Sequence, residues 1–262
     1  MPSPIHVEGE SIFSYTGLRR YLRLLHQRHG TFPLRSWAGQ SGVILRHDVD
    51  LDLNAALRLA EEEAEEGISA SYFLLTTAET YNLMAPEPKR KVREMAMLGA
   101  EVGLHFDPTV YPDADAEGLR NAAKSEAELI EQILGQRVAS ISLHNPSVHG
   151  KYPIFQGFRN AYDPEIFVPD RYLSDSQMRF QSDPLTFFSS SDAKTYQLLL
   201  HPMHYSREGN HYPAPQLRYL KNLAEDLNRI FSVNSAFRDA VCGSFVSHLS
   251  RNAMTWSEEE TD

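Results

Sequence analysis

A single cysteine, Cys242, stands in this chain of 262 residues, so no disulfide can form within it. That usage suits a reducing compartment. Long hydrophobic runs are also missing, and none approaches the ~20 apolar residues that span a bilayer. The opening stretch, MPSPIHVEGE, has neither the basic segment nor the apolar core of a secretory signal. A cytoplasmic protein with no membrane span is expected. Basic stripes are absent too: Lys and Arg number 25 against 35 Asp and Glu, a net charge of −10. With its cations scattered, the chain is not expected to bind nucleic acid. Gly (14) and Pro (15) are too few for a disordered chain, and no repeat or low-complexity linker interrupts the sequence. The oligomeric state leaves no mark in it.

Hydrophobic residues make up 42% of the chain, enough for one large core. The length suits one domain over 1–262 of (β/α) barrel size, roughly 250 residues, with a mobile acidic tail at about 251–262. Leu18, Tyr21, Leu22 and Leu25 recur at helical spacing up to Gly30, after a loose entry over 1–12. An apolar strand begins at Gly42 and runs into Arg46-His47-Asp48-Val49-Asp50. Leu53, Leu57, Ala60 and Ala64 mark the apolar face of the next helix. Its acidic run (Glu61, Glu62, Glu63, Glu65, Glu66) predicts a solvated face. Strands are predicted over 68–75, 101–105, 138–143 and 196–200. Helices are predicted over about 88–98, along the stripe Leu119, Ala123, Ala127, Ile130, Leu134, and along Leu217, Leu220, Ala224, Leu227, Phe231. Residues 145–185 predict long loops around one or two short strands. Apolar strands alternating with amphipathic helices predict an α/β fold with a mainly parallel sheet and helices outside.

Four of these strands end in residues that can bind metal: Asp48 and Asp50, His105 and Asp107, His144, and His201. In parallel α/β folds the carboxyl ends of strands converge on one site. Residues two apart on a strand share a face, about 6.6 Å apart. One aspartate of the first pair can then bind a cation while the other reaches water on it. His105 and Asp107 pair in the same way. His201, ending a buried strand, can serve as a proton donor near its ordinary pKa of about 6.5. His204 and His211 fall in a Pro-rich loop and read as rim or exposed residues. His6, His26, His29, His149 and His248 carry no predicted role. Tyr152, Phe155, Phe158, Tyr162 and Tyr172 read mainly as loop core, with stacking on sugar rings as the other reading.

Arg46-His47-Asp48-Val49-Asp50, Ser71-Tyr72-Phe73, Gly99-Ala100-Glu101-Val102-Gly103-Leu104-His105 and Leu199-Leu200-His201 resemble, in order and spacing, the motifs of the polysaccharide deacetylases of carbohydrate esterase family 4. The resemblance covers roughly 42–205. It implies a distorted, incomplete (β/α) barrel of mainly parallel strands holding one divalent metal ion. By position, Asp48 resembles the catalytic base, Asp50 the metal-binding aspartate and His105 the first metal histidine. His201 resembles the histidine acid, and Asp175 the aspartate that orients it. The chain departs from the pattern twice. Thr109 stands where the family has a second metal histidine, so the third ligand is expected from His144, or else from Asp107. Leu143-His144-Asn145-Pro146 lacks the arginine that pairs with the base, a place Arg46 can fill.

The resemblance implies removal of an N-acetyl group from an amino sugar or saccharide precursor. A divergent member would act in surface-polysaccharide (O-antigen) biosynthesis, on nucleotide- or lipid-linked sugars. Zinc suits two imidazoles and a carboxylate, and so do iron, cobalt, nickel and manganese. Three rival readings are a hydrolase of another non-peptide C–N bond, a non-catalytic saccharide-binding relative and, more weakly, a metal phosphoesterase. No Gly-x-Ser-x-Gly elbow supports a serine nucleophile.

Overall fold

The computed structural model describes residues 5–188, 194–209, 212–241, 243, 244 and 247. Cys242, His211, His248 and the expected acidic tail lie outside them. The chain forms two compact units, 1–210 and 211–262, and each is described by itself.

The first unit opens with a short antiparallel hairpin, β1 (His6–Val7) and β2 (Glu10–Ser11), where the sequence reading has only a loose entry. Val7 and Ile12 are buried, and that apolar pair anchors the hairpin. Then follow α1 (Tyr15–His29), β3 (Thr31–Phe32), β4 (Gly42–Val49), α2 (Leu53–Glu65), β5 (Ser71–Leu75), α3 (Pro86–Met97), β6 (Glu101–Phe106), α4 (Ala116–Leu134), β7 (Ser140–Leu143), α5 (Pro146–His149), β8 (Arg159–Asn160), β9 (Tyr172–Ser174), α6 (Pro184–Phe187) and β10 (Thr195–Leu200). The second unit holds α7 (Ala214–Phe231), which carries the predicted apolar stripe, and α8 (Ser235–Val241). Among the described residues no helix is long and apolar enough to cross a membrane.

Seven strands pair in the order β8-β7-β6-β5-β4-β10-β9, all parallel, and β3 pairs with the start of β4. Every residue of β4, β5, β6, β7 and β10 is buried, as expected where helices cover a parallel sheet. The sheet curls. β4 and β7 are three strands apart, about 14 Å on a flat sheet, yet the Arg46 Nη1 on β4 donates to Ser142 Oγ on β7 at 3.1 Å. Gln197 Nε2 on β10 likewise donates to the Ala161 carbonyl, just past β8, at 3.0 Å. β8 and β9 remain unpaired with each other, so the result is an incomplete (β/α) barrel.

The core between sheet and helices comes from Leu18 and Leu22 of α1, Leu59 of α2, Val92 and Met95 of α3, and Ala127 and Ile130 of α4, against the outer faces of the strands. Each large apolar side chain buried there contributes about 1.5–3 kcal/mol. α4 stops at Gly135, whose φ of 69° is left-handed and favours glycine. The acidic run of α2 is not the solvated face its composition predicts. Glu62 and Glu63 are buried: Glu63 bonds His47 Nε2 and the Tyr72 hydroxyl, each at 2.7 Å, and Glu62 pairs with Arg58 and Arg19. At the amino ends of the strands Glu101 fills the barrel interior. It accepts from Ser71 Oγ (2.6 Å), Ser140 Oγ (2.5 Å) and the Arg35 N–H (2.8 Å). This buried cluster occupies the amino end, and the opposite, carboxyl end carries the site.

Candidate metal centre

Asp50 follows β4, His105 lies near the end of β6, and His144 follows β7. The curl of the sheet turns these three ends, with β5 between the first and second, toward one point. Asp50 Oδ1 lies 3.2 Å from His105 Nε2 and 3.2 Å from His144 Nδ1, and the two nitrogens are 3.2 Å apart. These atoms form an equilateral triangle. Tetrahedral zinc with bonds of about 2.0–2.1 Å sets its ligand atoms about 3.3–3.4 Å apart, so the triangle has the size of one face of that polyhedron. Asp50 Oδ1 is buried and accepts no hydrogen bond of good geometry despite its two close imidazoles. A carboxylate oxygen left bare there is the acceptor a cation would take. The residues fit a single divalent ion.

The charges lean the same way. Burial pushes the Asp50 carboxyl up, but His105 and His144, with His201 beyond them, hold it well below the usual carboxylate range. Burial lowers the His144 imidazole, and Asp50 outweighs it and raises it. Asn145 Nδ2 sits 2.8 Å from His144 Nε2. For Nδ1 to offer its lone pair to a cation shared with Asp50, Nε2 would hold the proton and the Asn145 amide would turn its oxygen to it.

Asp48, one strand step before Asp50 on the same face, is buried beside this triangle, with Oδ2 4.0 Å from His105 Nε2. Oδ2 accepts from Ser142 Oγ at 3.2 Å and faces Arg46 Nη2 at 3.5 Å. Oδ1 has no partner. Arg46 is completely buried, and its guanidinium also donates to the Tyr162 hydroxyl at 3.0 Å and lies 4.7 Å from that ring's centre. Burial works against its charge, and Asp48 more than restores it. The pair is thus a fully desolvated ion pair, held in place by Ser142 and Tyr162.

His201 follows β10. Its Nδ1 lies 2.6 Å from Asp175 Oδ1, and its own backbone N–H donates to both Asp175 oxygens at 3.1 Å. Asp175, fully buried after β9, also takes His204 Nδ1 at 3.2 Å and the Tyr205 hydroxyl at 3.0 Å. Asp175, His201 and His204 group closely enough to be a second candidate cation set. Both oxygens of Asp175 are already saturated by N–H and O–H groups, so hydrogen bonding explains this cluster. Burial alone would lower the His201 imidazole, but Asp175 raises it to about 9. The opposite nitrogen, Nε2, is 3.9 Å from Asp50 Oδ2.

A cavity of about 220 Å³ joins these groups, lined by Asp48, Asp50, His105, His144 and His201 on one side and by Tyr152, Tyr162, Phe167 and Tyr172 on another. Asp48, Asp50, His105, His144, His201, Asp175 and Arg46 are therefore together. Asp107 is not among them, because it accepts from the Thr109 N–H (2.9 Å) and hydroxyl (2.6 Å) and caps the turn that follows β6. His204 is buried in the Asp175 cluster instead of lying exposed in a loop. Phe155 is buried core, as expected of most loop aromatics, whereas Tyr152, Tyr162 and Tyr172 lie on the cavity wall. Ser142 and Tyr205 escaped the sequence reading, and nothing in their local spacing marks them; Tyr162, read there as loop core or a stacking ring, holds Arg46 through its hydroxyl.

No family model matches the chain, and no curated protein matches it. Solved structures do. One is a peptidoglycan deacetylase from Bacillus subtilis, at 13% identity and a TM-score of 0.44, covering 73% of this chain and 98% of that one. Another is the CE4 domain of a multidomain xylanase from the hindgut metagenome of Trinervitermes trinervoides, at 15% identity and a TM-score of 0.43, covering 71% and 82%. A third is a mutant of a CE4 family pseudoenzyme with restored enzymatic activity, at 14% identity and a TM-score of 0.43. It covers 69% of this chain and 62% of that one, so this chain spans less than two thirds of its length. These neighbours belong to the family that the sequence motifs resemble. At such identities and TM-scores they carry no activity and no residue role over to this chain.

Proposed function

We propose that the chain is a metal-dependent hydrolase that removes an N-acetyl group from an amino sugar. The observation that carries this reading is the 3.2 Å triangle of Asp50, His105 and His144, flanked by a base and an acid in one cavity. Asp50, His105 and His144 would hold one divalent ion, with zinc first and iron, cobalt, nickel or manganese as alternatives. When bound, such an ion supplies Lewis acidity toward an acyl oxygen and acidifies water.

The chain's own groups account for the proton transfers. Asp48 keeps its Oδ2 on Ser142 and Arg46, which leaves the unpartnered Oδ1 as the atom that takes a proton from attacking water. Arg46 and Ser142 fix the carboxylate's orientation from behind. His201, raised to about 9, carries a proton at neutral pH. Asp175 fixes its ring through Nδ1, so Nε2 is the atom that delivers the proton to the leaving amine. Acetate and a free amino sugar result. The same reading includes the finer expectation of a role in surface-polysaccharide (O-antigen) biosynthesis.

Asp48→Asn keeps the side-chain shape and removes the proton acceptor. Acetate release from N-acetylglucosamine is expected to fall at least ~10²-fold, the usual contribution of a positioned base, with metal content unchanged by elemental analysis. Full activity of this variant would refute the assignment of the base. A wild-type chain that binds no metal and releases no acetate would refute the reading as a whole.

A further inference from the structure

The cavity beside the triangle is small for a polysaccharide groove. Its volume of about 220 Å³ equals about seven waters and falls below the roughly 300 Å³ at which pockets for drug-sized ligands begin. A single acetamido sugar is of that order, and a disaccharide is not. The narrowing comes from the segment between β7 and β10, which contributes Asn145, Ser147, Tyr152, Ser176 and Gln181 to the lining. Three of its residues hold left-handed backbone without being glycine: Asn145 (φ 44°), Gln177 (φ 60°) and Met178 (φ 54°). Asn145 lines the cavity and Gln177 follows the lining residue Ser176; strained backbone of this kind is held by its surroundings and fixes the adjoining wall in place.

The aromatic wall is graded in exposure. Tyr162 is buried, with its hydroxyl committed to Arg46. Phe167 packs edge-on against both Tyr162 (4.7 Å) and Tyr172 (4.9 Å). Tyr152 stacks on Phe167 at 5.8 Å and 28°, and is 41% exposed. It is the outermost ring, supported from behind and open in front. A flat aromatic face bounded by neutral hydrogen-bonding side chains is the chemistry that recognises a pyranose.

Building on the proposed hydrolase reading, we infer that the site admits one sugar ring, free or at a chain end, and that Tyr152 is the platform on which that ring stacks. Internal residues of a polymer do not fit, because the chain would have to leave the cavity on both sides.

The test uses the metal-loaded full chain with N-acetylglucosamine and its β-1,4-linked tetramer. The expected result is acetate release from the monosaccharide, and from the tetramer at one terminal residue only. Tyr152→Ala is expected to raise KM about tenfold, the equivalent of about 1.4 kcal/mol of lost contact, with kcat little changed. Tyr152→Phe should stay near wild type. Release from internal residues of the tetramer, or an unchanged KM in Tyr152→Ala, overturns the inference. A second readout does not depend on turnover: saturation-transfer NMR on the Asp48→Asn chain. There the monosaccharide should bind, and the tetramer should be contacted through one terminal ring, with both signals lost in Asp48→Asn/Tyr152→Ala. If the NMR result holds while the wild type releases no acetate, the hydrolase reading fails and the single-ring site stands. Equal contact along all four rings sinks the single-ring site whatever the activity.

Discussion

Asp175→Asn tests the charge logic of the site, because this carboxylate is fully buried and receives four hydrogen-bond donors. In the wild type, Asp175 raises the His201 imidazole to about 9 against burial, from an ordinary value of 6.5. A histidine raised on folding stabilises the folded state below its unfolded pKa and loses that contribution as pH rises through the folded value. Tenfold in proton affinity is about 1.4 kcal/mol, so this rise is worth about 3 kcal/mol at acidic pH. Most of it remains at pH 7 and almost none at pH 10. Asp175→Asn removes the largest raising cause and leaves burial opposed only by Asp50 and Asp48, so the His201 imidazole falls. The assay is urea unfolding of the metal-free chain at pH 7 and pH 10. The wild type is expected to lose about 2–3 kcal/mol more than the variant between the two pH values. A His201 NMR titration should fall from about 9 in the wild type to a clearly lower value in the variant. Equal pH dependence in both proteins, or an unmoved titration, refutes the reasoning.

Four further outcomes are expected. His144→Ala should cut metal binding at least ~10²-fold by elemental analysis and calorimetry, since it removes one corner of the triangle, whereas Asp107→Ala should keep the metal and cost about 1 kcal/mol as a lost cap. Gly103→Ala should destabilise the fold by about 1–3 kcal/mol in denaturant, because a Cβ there would sit 2.6 Å from the Phe73 ring and 2.9 Å from the Ser140 carbonyl; an unchanged unfolding midpoint would contradict that packing. Glu63→Leu should cost about 1–3 kcal/mol by leaving His47 Nε2 and the Tyr72 hydroxyl without their acceptor, with metal content unchanged.

The parts of this fold visible in the sequence are those written in periodic patterns. Period-2 spacing places Arg46, Asp48 and Asp50 on one face of β4, and a polar residue at the end of each apolar strand marks His105, His144 and His201. The burial of Glu63 was also available: Ala56, Leu59, Ala60 and Glu63 follow the helical pattern i, i+3, i+4, i+7, all on the buried face of α2. The charge of that run points to solvent, whereas its spacing points to the core. His204 and Tyr205 lie off the end of β10 in a 3-10 turn and its exit, where no periodicity assigns a direction. Ser142 and Tyr162 reach Arg46 only because the sheet curls, and curl is a property of seven strands together. Asp107 shows the converse. Strand alternation predicts its side, but β6 ends at Phe106 and the carboxylate is taken by the next turn.

In β4, Arg46 and Asp48 turn into the barrel, while His47 between them turns outward to the carboxylate of Glu63 on α2. Alternate residues of one strand thus serve reactive chemistry and structural anchoring. Deleting or inserting one amino acid within 43–48 would exchange these duties, carrying the imidazole inward and stranding the acids among helix side chains. Evolution can trim or lengthen the connections around this strand, but its frame must stay fixed.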